Sequence, residues 1–249
     1  MALDTNNISL DKKTILVTGA GDGIGKAVAI ECAKHGATII LLGKTVKKLE
    51  NTYDEIIAAG GPQPAIYPVD LSGAQPSDYQ HMQTTLEKEF KHLDGLLHNA
   101  GWLGASTPIE QYDNELWYRV MQVNLNAVFH LSQACIPLLA KAAHATMVFN
   151  VDHKSSAYWG AYGVAKAGQV SLMQILADEL ESRNISVNAL DPGAVRTGFR
   201  TRAFPGENPE HLKSPADVAP AFAYLLSDTI EGTRGKVFSM SDFNPDLDL

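Results

Sequence analysis

The chain has 249 residues, 45% hydrophobic and 19% charged, a composition that supplies one sizeable core and argues against disorder. Its 28 acidic and 20 basic side chains leave a formal charge of −8, so the surface repels nucleic acid and anionic membranes and neither is expected as a partner. The polar N-terminus and the absence of an 18-residue apolar run argue against a signal peptide and a membrane span, and a cytoplasmic location is expected.

Short apolar runs alternate with longer amphipathic ones along the whole chain. After an N-terminal arm over 1–11, strands are expected at Thr14–Thr18, Ala37–Leu42, Ala65–Val69, Gly95–His98, Ala145–Val151, Ile185–Leu190 and Lys236–Ser239. They are near-continuously apolar, as strands buried on both faces of a parallel sheet must be. Helices are expected over 24–35, 45–59, 77–91, 110–140, 158–182 and 215–227. Ser214 caps the last of these, with Pro215 in its first turn. Such alternation predicts a single α/β domain over 1–249, a Rossmann-type doubly wound parallel sheet of about seven strands with helices on both faces. The irregular segment 194–213 carries Arg196, Arg200 and Arg202 and is expected to be a substrate lid. Cys32 and Cys135 lack CxxC partners and read as reduced thiols, and no histidine stands at metal-ligand spacing.

The run Thr18-Gly19-Ala20-Gly21-Asp22-Gly23-Ile24-Gly25 follows the first strand and opens the first helix. Amide groups at a helix start point outward unsatisfied, and the helix dipole favours an anion there. Glycines let the chain turn tightly and let a pyrophosphate approach the backbone. The second strand ends at Gly43, where an NAD-selective site would carry a carboxylate, and Lys44 follows. A lysine there suits a 2′-phosphate, so NADP(H) is expected over NAD(H); Asp22 inside the loop weighs mildly the other way. Tyr162 and Lys166 stand four apart in a helical run and share a face. A cation beside a tyrosine lowers its pKa from near 10 by roughly 1–3 units, which would make Tyr162 a usable acid/base.

The TGxxxGIG spacing, "HNAG" at 98–101, "VNLNAVF" at 123–129, "YGVAK" at 162–166 and "DPGAVRT" at 191–197 together resemble the short-chain dehydrogenase/reductase family, over about residues 12 to 240. Within that family the wording is most similar to a group of poorly characterised bacterial oxidoreductases. The resemblance implies cofactor contacts from Gly19, Asp22, Gly23, Ile24, Gly25, Lys44, Asp70, Leu71, Asn99, Ala100 and Gly101. It also implies that Pro192, Gly193 and Val195 lie against a nicotinamide, with Thr197 bonding its carboxamide. Lys166 would bind the nicotinamide ribose, Asn124 would hold a water of a proton relay, and Tyr162 would exchange a proton with the substrate oxygen. The long helices 110–140 and 158–182 would pack against a second subunit in a homodimer or homotetramer.

One element departs from the family. Its serine at the end of the fifth strand has no counterpart: strand alignment places Asp152 there, and counting back thirteen residues from Tyr162 reaches Phe149. An ionised Asp152 about 6 Å from a tyrosinate would oppose it by roughly 2.8 kcal/mol at an effective dielectric of about 20, or about two pKa units. A protonated Asp152 would instead donate to a carbonyl, and Ser155 or Ser156 offers a third donor. Two functions follow as expectations. One is an NADP(H)-dependent oxidoreductase acting on a small carbonyl/alcohol pair, with Tyr162, Lys166, Asn124 and Asp152 as its catalytic set. The other is a nicotinamide-nucleotide-binding protein with little or no catalysis.

Overall fold

The computed structural model describes residues 8–243; the first seven residues of the expected arm lie outside them. Seven parallel strands form one sheet, in the order β3-β2-β1-β4-β5-β6-β7. They are β1 (Thr14–Thr18), β2 (Thr38–Gly43), β3 (Ala65–Pro68), β4 (Gly95–His98), β5 (Ala145–Asn150), β6 (Ile185–Asp191) and β7 (Val237–Ser239). Helices α1 (Gly23–Lys34), α2 (Val46–Ala58) and α3 (Pro76–Phe90) connect the first four strands. Helices α4 (Asn114–Met121) and α5 (Ala127–Leu139) lie between β4 and β5, α6 (Gly160–Glu179) between β5 and β6, and α7 (Gly198–Ala203) and α8 (Pro215–Leu225) between β6 and β7.

The strands read as continuous apolar runs because each face of the sheet has its own core. Ile15, Val17, Ile39, Leu41 and Leu97 point into one, together with α1 and α8. Leu16, Ile40, Leu42, Leu96 and Met147 point into the other, together with α3 and α5. The two cysteines are free and buried, one in each core. Burial raises both thiols, that of Cys135 to about 12, so neither is a ready nucleophile. The described part of the expected arm is not loose, since Ile8 and Leu10 are buried.

The expected single helix over 110–140 is broken. A π-helical turn spans Gln122–Asn126 between α4 and α5. Its cause is Asn124, whose side-chain amide donates to the Val120 carbonyl at 2.8 Å and competes for the acceptor of a regular i−4 bond. The lid segment also has more structure than expected, holding α7 and a 3-10 turn at Pro209–His211. Its two ends are closed on each other by a bridge between Val195 and Lys213.

At the N-terminal ends of the strands a set of charges ties the sheet together. His144 Nδ1 lies 3.0 Å from Asp228 and its Nε2 3.1 Å from the buried Ser186 hydroxyl. Lys13 donates to Asp228 at 2.7 Å, and Asp94 accepts the Thr14 amide at 2.8 Å. The opposite ends of the strands are left to a cleft. It opens where the chain order reverses between β1 and β4, the place where open α/β sheets bind ligands.

Candidate active site

The cleft has a volume of about 560 Å³ and is walled by residues that follow six strands, from Gly19 after β1 to Pro192 after β6. At one end the glycine loop meets the start of α1. Gly19 and Gly23 hold φ of +68° and +53°, a region that side chains rarely adopt. A Cβ on Gly25 would lie 2.4 Å from both the Gly19 carbonyl and the Asn99 amide, so only glycine lets α1 start this close to the loop. Asp22 caps α1 by accepting the Gly23 amide at 2.8 Å. Its second oxygen takes Lys48 at 2.6 Å, and this hydrogen bond, working against partial burial, holds its carboxyl below the usual range. The loop acid that weighed against a 2′-phosphate is thus already paired with a cation.

Lys44 stands exposed on the cleft beside Gly43 and forms no ion pair among the described residues. Asp70 faces the same region, with one carboxyl oxygen bonded to the Ser72 amide and hydroxyl at 3.0 and 2.8 Å. These two bonds, then Lys44 and Arg119, keep its carboxyl below the usual range. Asn99 braces the middle of the cleft. Its amide and that of Ala100 donate to the Thr18 hydroxyl, and its side chain bridges the Thr18 carbonyl and Asn150.

At the other end Tyr162, Lys166 and Asp152 converge. Tyr162 is 4% exposed, and its hydroxyl donates to Asp152 Oδ2 at 3.3 Å. Lys166 lies one helical turn on, its ammonium 5.8 Å from the tyrosine ring. It donates to the Asn150 carbonyl at 2.7 Å and to Gln169 Oε1 at 3.2 Å. Burial pushes Lys166 down to about 8, against the pull of Asp152 and Asp191. The lowering of Tyr162 expected from this lysine is outweighed. Burial first, then the charge and hydrogen bond of Asp152, hold the phenol well above its ordinary value.

The expected residues separate into those on the cleft wall and those behind it. Gly19, Asp22, Gly23, Ile24, Lys44, Asp70, Leu71, Asn99, Ala100, Gly101, Asp152, Tyr162, Lys166, Pro192, Gly193, Val195 and Thr197 all line it. Gly25 lies behind the wall and acts through packing. Asn124 is fully buried, its side chain spent on Val120 and on both main-chain groups of Trp102. Gln169, which accepts from Lys166, donates to the Asn124 carbonyl and joins the two through protein. Ser155 and Ser156 are exposed and off the wall, and Phe149 is fully buried in the core. His153 is exposed and points to no partner among the described residues; Asp152 Oδ1 is held instead by Lys154, at 2.7 Å. Of the lid arginines, Arg200 and Arg202 both line the cleft, but Arg200 is spent on Glu207 at 2.6 and 2.7 Å and on the face of Phe204. Trp159 lines it too, and Trp117 packs behind.

Sequence reading missed Gln169 and Lys154. The first stands three residues after Lys166 on the same helix face, a spacing that was there to be read. The second sits in an irregular loop, where no periodicity tells which way a side chain turns.

Comparison with known proteins gives a consistent picture. A family model described as short chain dehydrogenase matches residues 13–208. The chain is 40% identical to the Escherichia coli (strain K12) oxidoreductase YciK, itself described as uncharacterized, over 92% of each chain. A solved Pseudomonas syringae structure with the short chain dehydrogenase description is 42% identical over 96% of this chain and 99% of that one, with a TM-score of 0.92. An Escherichia coli CFT073 structure of the same description, complexed with NADPH, is 39% identical over 95% of this chain and 99% of its own, with a TM-score of 0.90.

Proposed function

Because the chain belongs to the short chain dehydrogenase family and is an oxidoreductase of that kind, we propose that it reduces a small carbonyl compound with NADPH, or oxidises the corresponding alcohol. The observation that carries this reading is the convergence of Tyr162, Lys166 and Asp152 at one end of a cleft whose other end is a glycine cradle at a helix start. The residues present fit a dinucleotide. The loop backbone is bare where a phosphate would approach, and the Cβ positions at Gly19 and Gly25 are barred by neighbouring atoms. A similar structure was solved with NADPH. Lys44, which forms no ion pair among the described residues and stands next to the end of β2, suits a 2′-phosphate.

The bound nicotinamide would supply or accept the hydride at the substrate carbon. Tyr162, held neutral, gives its hydroxyl proton to the substrate oxygen as reduction proceeds. Lys166 stands beside the phenol and stabilises the tyrosinate that forms, fixed in place by Asn150 and Gln169. Trp159 and Phe199, whose rings pack against Tyr162, exclude water from this end. The exposed apolar side chains of Tyr118 on α4, Phe129 on α5, and Val164 and Ile175 on α6 fit a homo-oligomer built through these helices. A cytoplasmic setting completes the reading, with both thiols free and buried.

The Tyr162–Asp152 bond also favours one rival, a protein that binds the nucleotide and turns over little, because the proton donor is already engaged. Titration with NADPH and NADH by nicotinamide fluorescence, beside a carbonyl panel, separates the two. The oxidoreductase reading expects tight NADPH binding and turnover. Lys44→Ala should weaken NADPH roughly 10–100-fold and leave NADH nearly unchanged, the loss of one charge-assisted contact. Binding without turnover, restored by Asp152→Ser, would favour the rival; no binding of either nucleotide sinks both.

A further inference from the structure

The carboxylate in the active site is fixed more firmly than a lone loop residue would be. Asp152 and Lys154 are 21% and 25% exposed at their side chains and meet at 2.7 Å. Lys154 lies over the Trp159 ring, 5.3 Å from its centroid. Its main-chain carbonyl is seated against Gly163 of α6, where an added Cβ would approach it to 2.3 Å. The charges facing Asp152 are Lys154 on its own loop, Lys166 on α6 and Arg200 on α7, while Asp191 at the end of β6 acts on Lys166 and Tyr162.

An ionised carboxylate only accepts hydrogen bonds. One oxygen of Asp152 is ion-paired with Lys154, the other accepts from Tyr162, and the group lines the cleft with acceptor capacity left over. A simple ketone that brings its oxygen to the Tyr162 hydroxyl therefore sets one acceptor against another and breaks the tyrosine's existing bond. A ketone with a hydroxyl on the adjacent carbon breaks that bond too, but supplies Asp152 with a donor in its place. Its carbonyl takes the Tyr162 proton donor while its hydroxyl donates to Asp152. The two vicinal oxygens of such a compound stand about as far apart as the 3.3 Å between Tyr162 Oη and Asp152 Oδ2, so the two contacts run side by side. Three cations already face the carboxylate, which favours a neutral donor over an ammonium group.

We propose that Asp152, paired with Lys154, selects α-hydroxy carbonyl substrates by accepting the hydrogen bond of their hydroxyl. Asp152 is then a specificity residue, and Lys154 a positioning residue that acts through it. The inference rests on the carbonyl-reductase reading above.

The test is a ratio of kcat/KM values with NADPH for matched pairs, 3-hydroxy-2-butanone against 2-butanone and 2-hydroxyacetophenone against acetophenone. Hydroxyketones differ in intrinsic reactivity, so the Asp152→Ala ratio is the baseline. The wild-type ratio should exceed it tenfold or more. Lys154→Met should lower the ratio severalfold, and Lys154→Arg should restore it, which loss of structure alone would not do. Calorimetry on protein saturated with a tetrahydro-NADP analogue, which neither gives nor takes a hydride, reads binding without turnover, and the hydroxyketone should bind tenfold more tightly than its partner only when Asp152 is present. Equal ratios in wild type and Asp152→Ala overturn the inference while leaving the reductase reading intact. Turnover of none of the four ketones by a protein that binds NADPH overturns the carbonyl-reductase reading, and this inference with it.

Discussion

The carboxylate at position 152 decides what the neighbouring phenol is good for. Tyr162 is buried, and Asp152 both repels its anion and accepts its proton-bearing oxygen, so the neutral form prevails far into the alkaline range. That suits proton donation in reduction and handicaps proton abstraction in oxidation. Alcohol oxidation should therefore rise with pH through the alkaline range, because the base form exists only above the raised pKa. Asp152→Ser removes the repelling charge, and the rising limb of kcat/KM for oxidation should move down by roughly 1–3 pH units. A pH profile of the two proteins measures this, and an unmoved limb would mean that burial alone governs Tyr162. The presence of Asp152 was legible in the sequence, and so was its conflict with Tyr162. Its partner was not, because Lys154 reaches it at 2.7 Å only by turning back along an irregular loop.

Strands and helices were largely legible because their physics is local. β1 and β4 span the residues that their apolar runs mark out, Thr14–Thr18 and Gly95–His98. The region 110–140 was not, because its apolar spacing continues through a break made by one side chain. Asn124 bonds the Val120 carbonyl and the Trp102 backbone, and that tertiary choice sets the π turn. A comparable brace acts at the end of β1. The Thr18 hydroxyl donates to the Leu97 carbonyl at 3.0 Å and accepts the Asn99 and Ala100 amides at 2.8 and 3.0 Å, locking the glycine loop to the loop after β4. Thr18→Val keeps the shape and strands all three partners. We expect a loss of about 1–3 kcal/mol, seen as a drop of roughly 2–4 °C in Tm per kcal/mol, with weaker NADPH binding; Thr18→Ser should keep both. Thermal scans with and without nucleotide measure the difference.

Over the whole molecule, topology and cleft position followed from the alternation of elements, whereas association with a second copy did not, since an apolar helix face reads alike in a core and at an interface. Tyr118, Phe129, Val164 and Ile175 are exposed on α4, α5 and α6. Light scattering should give a dimer or tetramer, and Phe129→Glu with Ile175→Glu should shift it toward the monomer; a monomeric wild type would remove the proposed assembly. The ends of the sheet are also unlike. Lys13, Asp94, His144, Ser186 and Asp228 bind the strands together at one end, while the residues of the cleft stand at the other and none of them takes part in that clasp. Cohesion and chemistry are thus held by separate sets of side chains. A lineage with this layout is free to exchange a reacting group without undermining the scaffold that carries it. Asp152 belongs to the second set, so its side chain can change and leave the clasp untouched.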